Sequence, residues 1–379
     1  LNKPLWLRWL RRNLSRTHWA AKLLHLHAAP AEDAPDGLIM IQIDGLSRHQ
    51  FEHASGRGRM PLLRSLIRNR QLAMHSFYSG IPSTTPAVQA EIFFGIKTAV
   101  PSFEFMQRAS ARVFRMHHPA AVAAIEVQLR SRNARPLLTG GHSYANIYRA
   151  GASASWYCGE DLDPALMLRR FHLLRTMVLA LAYLPVVLRL IGLTLLEVLL
   201  ALFDMLRGIL ERNILRELLF IPARISVCLV VREMVRFRVL LDIAAGTRVV
   251  HANFLGYDEQ AHRRGPDSAF AHWSLKGIDR AVRDICRAAH SAPSRRYELI
   301  VYSDHGQESS LALEKKTGRT FEALLQHVLL RDSLASRRIH LPSGLATLIP
   351  PLTHWQATLR VTPEKPSPVT ADDLSEQVV

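Results

Sequence analysis

Only three cysteines occur in 379 residues, Cys158, Cys228 and Cys286, and no two share the short spacing of a thiolate metal site. An odd, scattered set argues against a disulfide framework and leaves all three as small core residues. Acidic residues are also few: 32 Asp and Glu stand against 48 Lys and Arg, a formal charge of +16. That imbalance favours anionic partners, whether phosphorylated substrates, acidic lipids or nucleic acid, without choosing among them. No zinc-finger, RNP or helix-turn-helix signature is present, so no nucleic-acid-binding module is expected, and the excess Arg reads as a solvated basic surface. No internal repeat is found either. With 48% hydrophobic and 21% charged residues, a mainly disordered chain is excluded, and the length allows one large core or two modest ones. Opening on Leu1 rather than Met is what a piece of a longer chain would show, and any signal upstream of it is invisible.

What is present divides the chain into five parts. Residues 1–36 mix Trp6, Leu7, Trp9 and Leu10 with Arg8, Arg11, Arg12 and Arg16, a basic amphipathic pattern followed by a Pro-rich linker; a membrane-surface helix and a plain surface helix both fit. Residues 37–170 and 248–362 read as the two parts of one catalytic domain, in which short apolar runs alternate with helical stretches. The runs are Leu38–Ile43, Arg248–Phe254 and Leu299–Tyr302; the helices include Pro61–Arg70, Ala87–Gly95 and Ala269–Ala289. That alternation predicts an α/β fold with a mostly parallel central sheet flanked by helices.

Residues 171–247 form an insertion whose stretch 176–203 is nearly all apolar, broken by Pro185, Arg189, Gly192 and Glu197. Its length would cross a bilayer, so a membrane-embedded or re-entrant hairpin, an interfacial helix and a buried cap over the catalytic domain all compete. Membrane association through 176–203 is the expectation, with the side of the membrane undetermined, because Arg residues flank both ends. Ile209–Ala245 returns to amphipathic spacing and is expected to pack as helix on the catalytic domain. Residues 363–379, rich in Pro, Ser, Asp and Glu, read as a disordered tail.

Three acids, Asp44, Asp258 and Asp304, each follow an apolar run closely, which in an open α/β sheet puts them at the carboxyl edge where ligands bind. Two have histidines at short spacing: Asp258 with His262, on one face of a helical turn, and Asp304 with the adjacent His305. Mixed carboxylate and imidazole donors suit zinc, manganese or iron. A lone Asp-His pair is more often structural, so the argument rests on the joint occurrence at three strand ends. Gly80–Gln89 is a turn-rich stretch entering a helix. A hydroxyl there, Ser83, Thr84 or Thr85, is either a simple N-cap or a nucleophile favoured by the helix dipole.

In order, Ile43-Asp44-Gly45, Pro82-Ser83-Thr84-Thr85-Pro86, Gly256-Tyr257-Asp258 with His262, and Ser303-Asp304-His305-Gly306 resemble the type I phosphodiesterase and nucleotide pyrophosphatase branch of the alkaline phosphatase superfamily. The resemblance covers roughly half the chain. It implies an alkaline phosphatase-like sheet, a phosphate-ester substrate, and two divalent metal ions, usually zinc, with manganese as the alternative. It also implies Thr85 as the nucleophile, with Thr84 as fallback, attacking phosphorus in line to give a phospho-threonine that is then hydrolysed. Asp44, Asp304 and His305, with Thr85, resemble the ligands of one metal, and Asp258 and His262 two ligands of the other. A further histidine is expected late in the chain; His354 is preferred over His340 and His327, and no clear motif surrounds any of them. Asn146, in the stretch Gly140–Gly151, is a candidate for holding a phosphate oxygen, although a structural turn is the simpler reading. A headgroup transferase acting on a lipid-linked substrate is a close alternative to a hydrolase, and a catalytically weakened phosphate-binding homologue is the competing class.

Overall fold

The structure, a computed structural model, describes residues 19–20, 35–97, 100–108, 110–132, 135–162, 173–210, 222, 225–292, 295–310, 313–321, 323–324, 339–340 and 358–359. The expected N-terminal amphipathic helix, His327, His354 and the acidic tail lie outside these residues. The chain divides into two units, Leu1–Ser309 and Ser310–Val379. The second contributes the short helix Leu313–Thr317 and an antiparallel pairing of Ile339–His340 with Thr358–Leu359.

The first unit begins with strand β1 (Gly37–Ile43), then helices α1 (Arg48–Gly56), α2 (Pro61–Arg68) and α3 (Thr85–Phe94). Strands β2 (Glu104–Gln107) and β3 (Arg112–Arg115) form an antiparallel ribbon before helix α4 (Pro119–Arg132). Strands β4 (His142–Tyr144) and β5 (Ala154–Trp156) lead to helices α5 (Leu173–Ala182) and α6 (Leu184–Leu210). A π-helical turn, Ser226–Val231, runs into α7 (Arg232–Ala245). Then follow β6 (Val249–Phe254), α8 (Gly256–Arg264), α9 (Ala269–His290) and β7 (Tyr297–Tyr302). Five strands make a parallel sheet in the order β5-β4-β6-β1-β7, the α/β architecture expected.

Alternation along the central strands builds a core on each face. Ile39, Ile41 and Ile43 of β1 pack with Val250, Ala252 and Phe254 of β6 against α7 and α9, whose buried Ala271, Leu275, Ile278, Val282 and Ile285 recur at helical spacing. On the other face Phe93 and Phe94 of α3 pack with Val122, Ile125 and Leu129 of α4. Gln42 points toward α3 from the middle of β1, which places a polar layer under that helix.

Helix α2 opens after Met60 with no capping side chain and no acid in its first turn. Asp279 of α9 supplies what is missing: fully buried, it accepts from the backbone N–H of Leu62 and of Leu63, at 3.0 and 3.1 Å. Asp279→Ala would strand both donors and is expected to cost roughly 2–6 kcal/mol at about 1–3 kcal/mol per group, measured by urea denaturation.

The apolar stretch expected to associate with a membrane is two helices, with α5 ending at Ala182 and α6 starting at Leu184. Among the described residues no helix is long and apolar enough to cross a membrane, which corrects the spanning reading. In α6, Arg189 and Glu197 interrupt the apolar run, and Glu197 turns inward, 5% exposed, toward the body of the protein. Of the amphipathic stretch 209–245, residues 211–221, 223 and 224 lie outside those described, and the π-helical turn Ser226–Val231 and helix α7 make up its described carboxyl part. All three cysteines are free, with Cys158 and Cys228 buried.

Candidate active site at the carboxyl edge of the sheet

Because β6, β1 and β7 are adjacent, parallel and in register, with Ile43 beside Phe254 and Gln42 beside Tyr302, their carboxyl ends open on one edge. Asp44 is the first residue after β1, and Asp304 is the second after β7. The chain turns sharply at Gly45, φ +70°, whose amide faces Asp304 Oδ1 at 3.4 Å. A Cβ on Gly45 would stand 2.3 Å from Asp258 Oδ1, so only glycine lets the two acidic loops approach. Leu46 N–H donates to Ser303 Oγ at 2.9 Å and joins the loops after β1 and β7.

Thr85 enters this edge from α3, where it is the first helical residue and is 4% exposed. Its hydroxyl donates to Asp44 Oδ1 at 3.3 Å and lies 3.3 Å from His305 Nε2. His305 Nε2 is in turn 3.5 Å from Asp44 Oδ1 and 3.8 Å from Asp304 Oδ2. Thr84 Oγ1, by contrast, has no hydrogen-bond partner among the described residues. The helix opens at Thr85, two residues before the predicted Ala87, because Pro86 is well placed in a first turn, where a missing N–H costs nothing.

Asp258 and His262 form the predicted i, i+4 pair on α8, with His262 Nε2 3.3 Å from Asp258 Oδ2. The hydrogen bond to Asp258 leads in pushing the His262 imidazole pKa up. Gln307 donates to the other oxygen of Asp258. His340 lies in the second unit's strand pair, and among the described residues no second histidine joins His262 at Asp258.

Asn146 is 3% exposed, and both ends of its amide are engaged: Oδ1 accepts from Gln89 at 3.2 Å and Nδ2 donates to Ser143 Oγ at 2.8 Å. It braces a turn in which Ala145 has φ +56°. Gln89, one turn after Thr85, also donates to Gln42 at 3.0 Å and accepts from the Ile147 N–H at 2.8 Å. This amide therefore locks α3, and with it Thr85, to β1 and to the β4–β5 connection. Besides Gln89, two contributors escaped the sequence reading. Asn253, donating to Asp44 Oδ2 at 2.8 Å, was signalled only as a lone amide inside the apolar run of β6, and Gln307 by nothing beyond its place after the Ser-Asp-His-Gly motif.

Electrostatically the edge is built for a cation. Burial, then the charges of Asp304 and Asp258, push the Asp44 carboxyl well above the usual range, and burial does the same to Asp304. Asp304 Oδ2 is buried with no hydrogen-bond partner among the described residues, and Asp44, Asp304 and His305 present one donor each within 4.8 Å of one another. A divalent ion with bonds of about 2.0–2.2 Å needs donors about 3.3–3.5 Å apart in tetrahedral geometry. The separations among Asp44, Thr85, His305 and Asp304, 3.3 to 3.8 Å, suit that.

The sign of the pH effect follows. Unfolded carboxyls ionise near pH 4, whereas the folded ones hold their protons higher, so the metal-free chain loses stability from this pair as pH rises from the unfolded value through the raised folded value. A cation reverses that loss. The rise in Tm on adding zinc is expected to grow from about pH 5 to about pH 7.5 as the ligands deprotonate; thermal-shift curves with chelator or zinc check it, and a flat increment would contradict it.

A sequence model of the family described as type I phosphodiesterase / nucleotide pyrophosphatase matches residues 38–333, well over half of the chain. The chain belongs to this family. It is therefore a member of the alkaline phosphatase superfamily and a hydrolase acting on phosphoric esters, of a metal-dependent kind. The matched span takes in all four motifs and the inserted helices α5 and α6. No curated protein matches the sequence at a significant level.

Proposed function

We propose that this family member cleaves phosphodiester or pyrophosphate bonds with Thr85 as nucleophile and two divalent cations, zinc or manganese, held at the sheet edge. The observation that carries the reading is the Thr85 hydroxyl placed between Asp44 Oδ1 and His305 Nε2, beside an unpartnered oxygen of Asp304. Asp44, Asp304, His305 and Thr85 would hold one ion, and Asp258 and His262, with a late histidine such as His354, the other. Bound there, the cations neutralise the carboxylates, lower the hydroxyl pKa and withdraw charge from the phosphoryl oxygens.

The chain's own residues supply position. Asp44 receives the Thr85 hydrogen and is itself aimed by Asn253; Gln89 holds the helix that carries the hydroxyl; and the N-terminus of α3 presents positive dipole to a phosphoryl group arriving in line. Attack forms the Thr85 Oγ–P bond as the leaving alkoxide departs, and water later frees the threonine. Hydrolysis of aryl phosphodiester, aryl phosphate, nucleotide and phospholipid esters with added zinc or manganese tests this, with acid quenching to trap phosphate on the Thr85 peptide. Metal-dependent turnover with phospho-Thr85 is expected. Metal-independent turnover, or a quenched peptide without phosphate, would defeat it.

A lipid-linked substrate at a membrane surface is favoured by one further observation. While Glu197 turns inward, α6 leaves Leu188, Ile191, Leu195 and Leu199 51 to 61% exposed, at spacings of three and four along one face. Such a contiguous apolar stripe on a chain of charge +16 suits the surface of an anionic bilayer. The chain is expected to float with phosphatidylglycerol vesicles, and Leu188→Asp with Leu195→Asp to lower the bound fraction at least about fivefold, roughly 1 kcal/mol; co-flotation unchanged by the pair would remove this reading.

A further inference from the structure

A second group of metal-type donors lies outside the edge just described. His53 is in the last turn of α1, Asp267 sits in the short link between α8 and α9, and His272 is in the first turn of α9. One ligand atom from each lies within 4.8 Å of the other two. His53 Nδ1 is 3.4 Å from Asp267 Oδ1, the spacing of two ligands on one tetrahedral ion. The two rings meet edge to face with centroids 5.2 Å apart.

The nitrogens themselves point to a ligand. His272 is 2% exposed and its Nε2 has no hydrogen-bond partner among the described residues; His53 Nδ1 is equally buried and makes no hydrogen bond. Two unsatisfied imidazole nitrogens around one carboxylate oxygen is an arrangement that an interior tolerates poorly. A histidine-carboxylate ion pair alone would employ one of those nitrogens and leave the other orphaned. A cation employs both.

We propose that His53, Asp267 and His272 bind a divalent transition-metal ion, zinc best matching two imidazoles and one carboxylate, with water completing the shell. The site is separate from the one that Asp44, Asp304 and His305 form. Its place in the fold gives it a structural task. Asp267 also accepts a hydrogen bond from Ser309, and Ser47, at the N-terminus of α1, donates to Glu308 at 2.7 Å. An ion joining α1 to the start of α9 therefore clamps both to the segment 303–309 that carries Asp304, His305 and Gln307.

Counting metal in the full-length chain tests it. Zinc-loaded protein, dialysed against metal-free buffer, is compared with His53→Gln, Asp267→Asn and a double variant, Asp304→Asn with His305→Gln. The expected result is one equivalent of zinc fewer in His53→Gln and in Asp267→Asn, and retention of that equivalent in the double variant. With cobalt in place of zinc, the double variant should keep visible absorption bands that lose intensity, by one equivalent of cobalt, when His53→Gln is added to it. His53 is partly exposed, so its variant serves even where a change at buried His272 prevents folding. Zinc content in His53→Gln and Asp267→Asn equal to that of the unmodified chain overturns the proposal, and so does a double variant holding no metal. Failure of the catalytic reading looks different: the double variant would then lose nothing.

Discussion

Thr85→Val is expected to lower phosphodiester hydrolysis by at least about a thousandfold, roughly 4 kcal/mol of barrier, while metal content falls by less than one equivalent. Valine keeps the branched shape at the mouth of α3 and removes only the oxygen that lies 3.3 Å from both Asp44 and His305. Covalent catalysis replaces one difficult displacement by two easier ones, so a loss of this size follows from losing the attacking atom. Thr85→Ser keeps that oxygen with a freer rotor and is expected to retain measurable turnover. Thr84→Val provides the contrast, because its hydroxyl makes no hydrogen bond among the described residues and its loss should leave kcat within about threefold, roughly 0.7 kcal/mol. Steady-state kinetics on the three variants decides the matter. Turnover that survives Thr85→Val and fails in Thr84→Val would move the nucleophile by one residue.

Asp304→Asn should separate activity from stability. The carboxylate is fully buried, its Oδ2 has no hydrogen-bond partner among the described residues, and with Asp44 and Asp258 it crowds negative charge into the interior. The amide keeps an oxygen for the Gly45 N–H and removes one charge, so kcat/KM is expected to fall at least about a hundredfold, roughly 3 kcal/mol, with the loss of a cation ligand. In chelator at neutral pH the same variant should melt higher than the unmodified chain, since the repulsion that raises the Asp44 pKa is relieved. Zinc should narrow or reverse that difference. A metal-free variant that melts lower than the unmodified chain would show that Asp304 serves the fold rather than a cation.

The site was legible where local sequence carries its chemistry. Asp44, Asp258 and Asp304 follow apolar runs closely, and a parallel sheet sends the ends of such runs to one edge. The i, i+4 relation of Asp258 and His262 is likewise a property of helix geometry alone. Asn253 and Gln89 were not legible. An amide in a strand or helix has no local signature of its partner, and theirs, Asp44 and Gln42, both come from β1 and its carboxyl end, another part of the chain. Asn146 was readable as a turn residue, and its two hydrogen bonds place it there. The apolar insertion was legible only in part for a related reason: hydropathy counts Leu188 and Leu195 without regard to the direction they face, whereas packing of Glu197 against the body turned them outward.

The sequence by itself determined the α/β alternation, the family and the order of the acidic motifs, because strand and helix periods and short motifs are encoded within a few residues. Only the tertiary structure decided which hydroxyl meets Asp44, which amides aim it, and that His53, Asp267 and His272 converge. Those are contacts between residues as far apart in the chain as His53 and His272, and only the packing of α1, α3 and α9 around the sheet creates them.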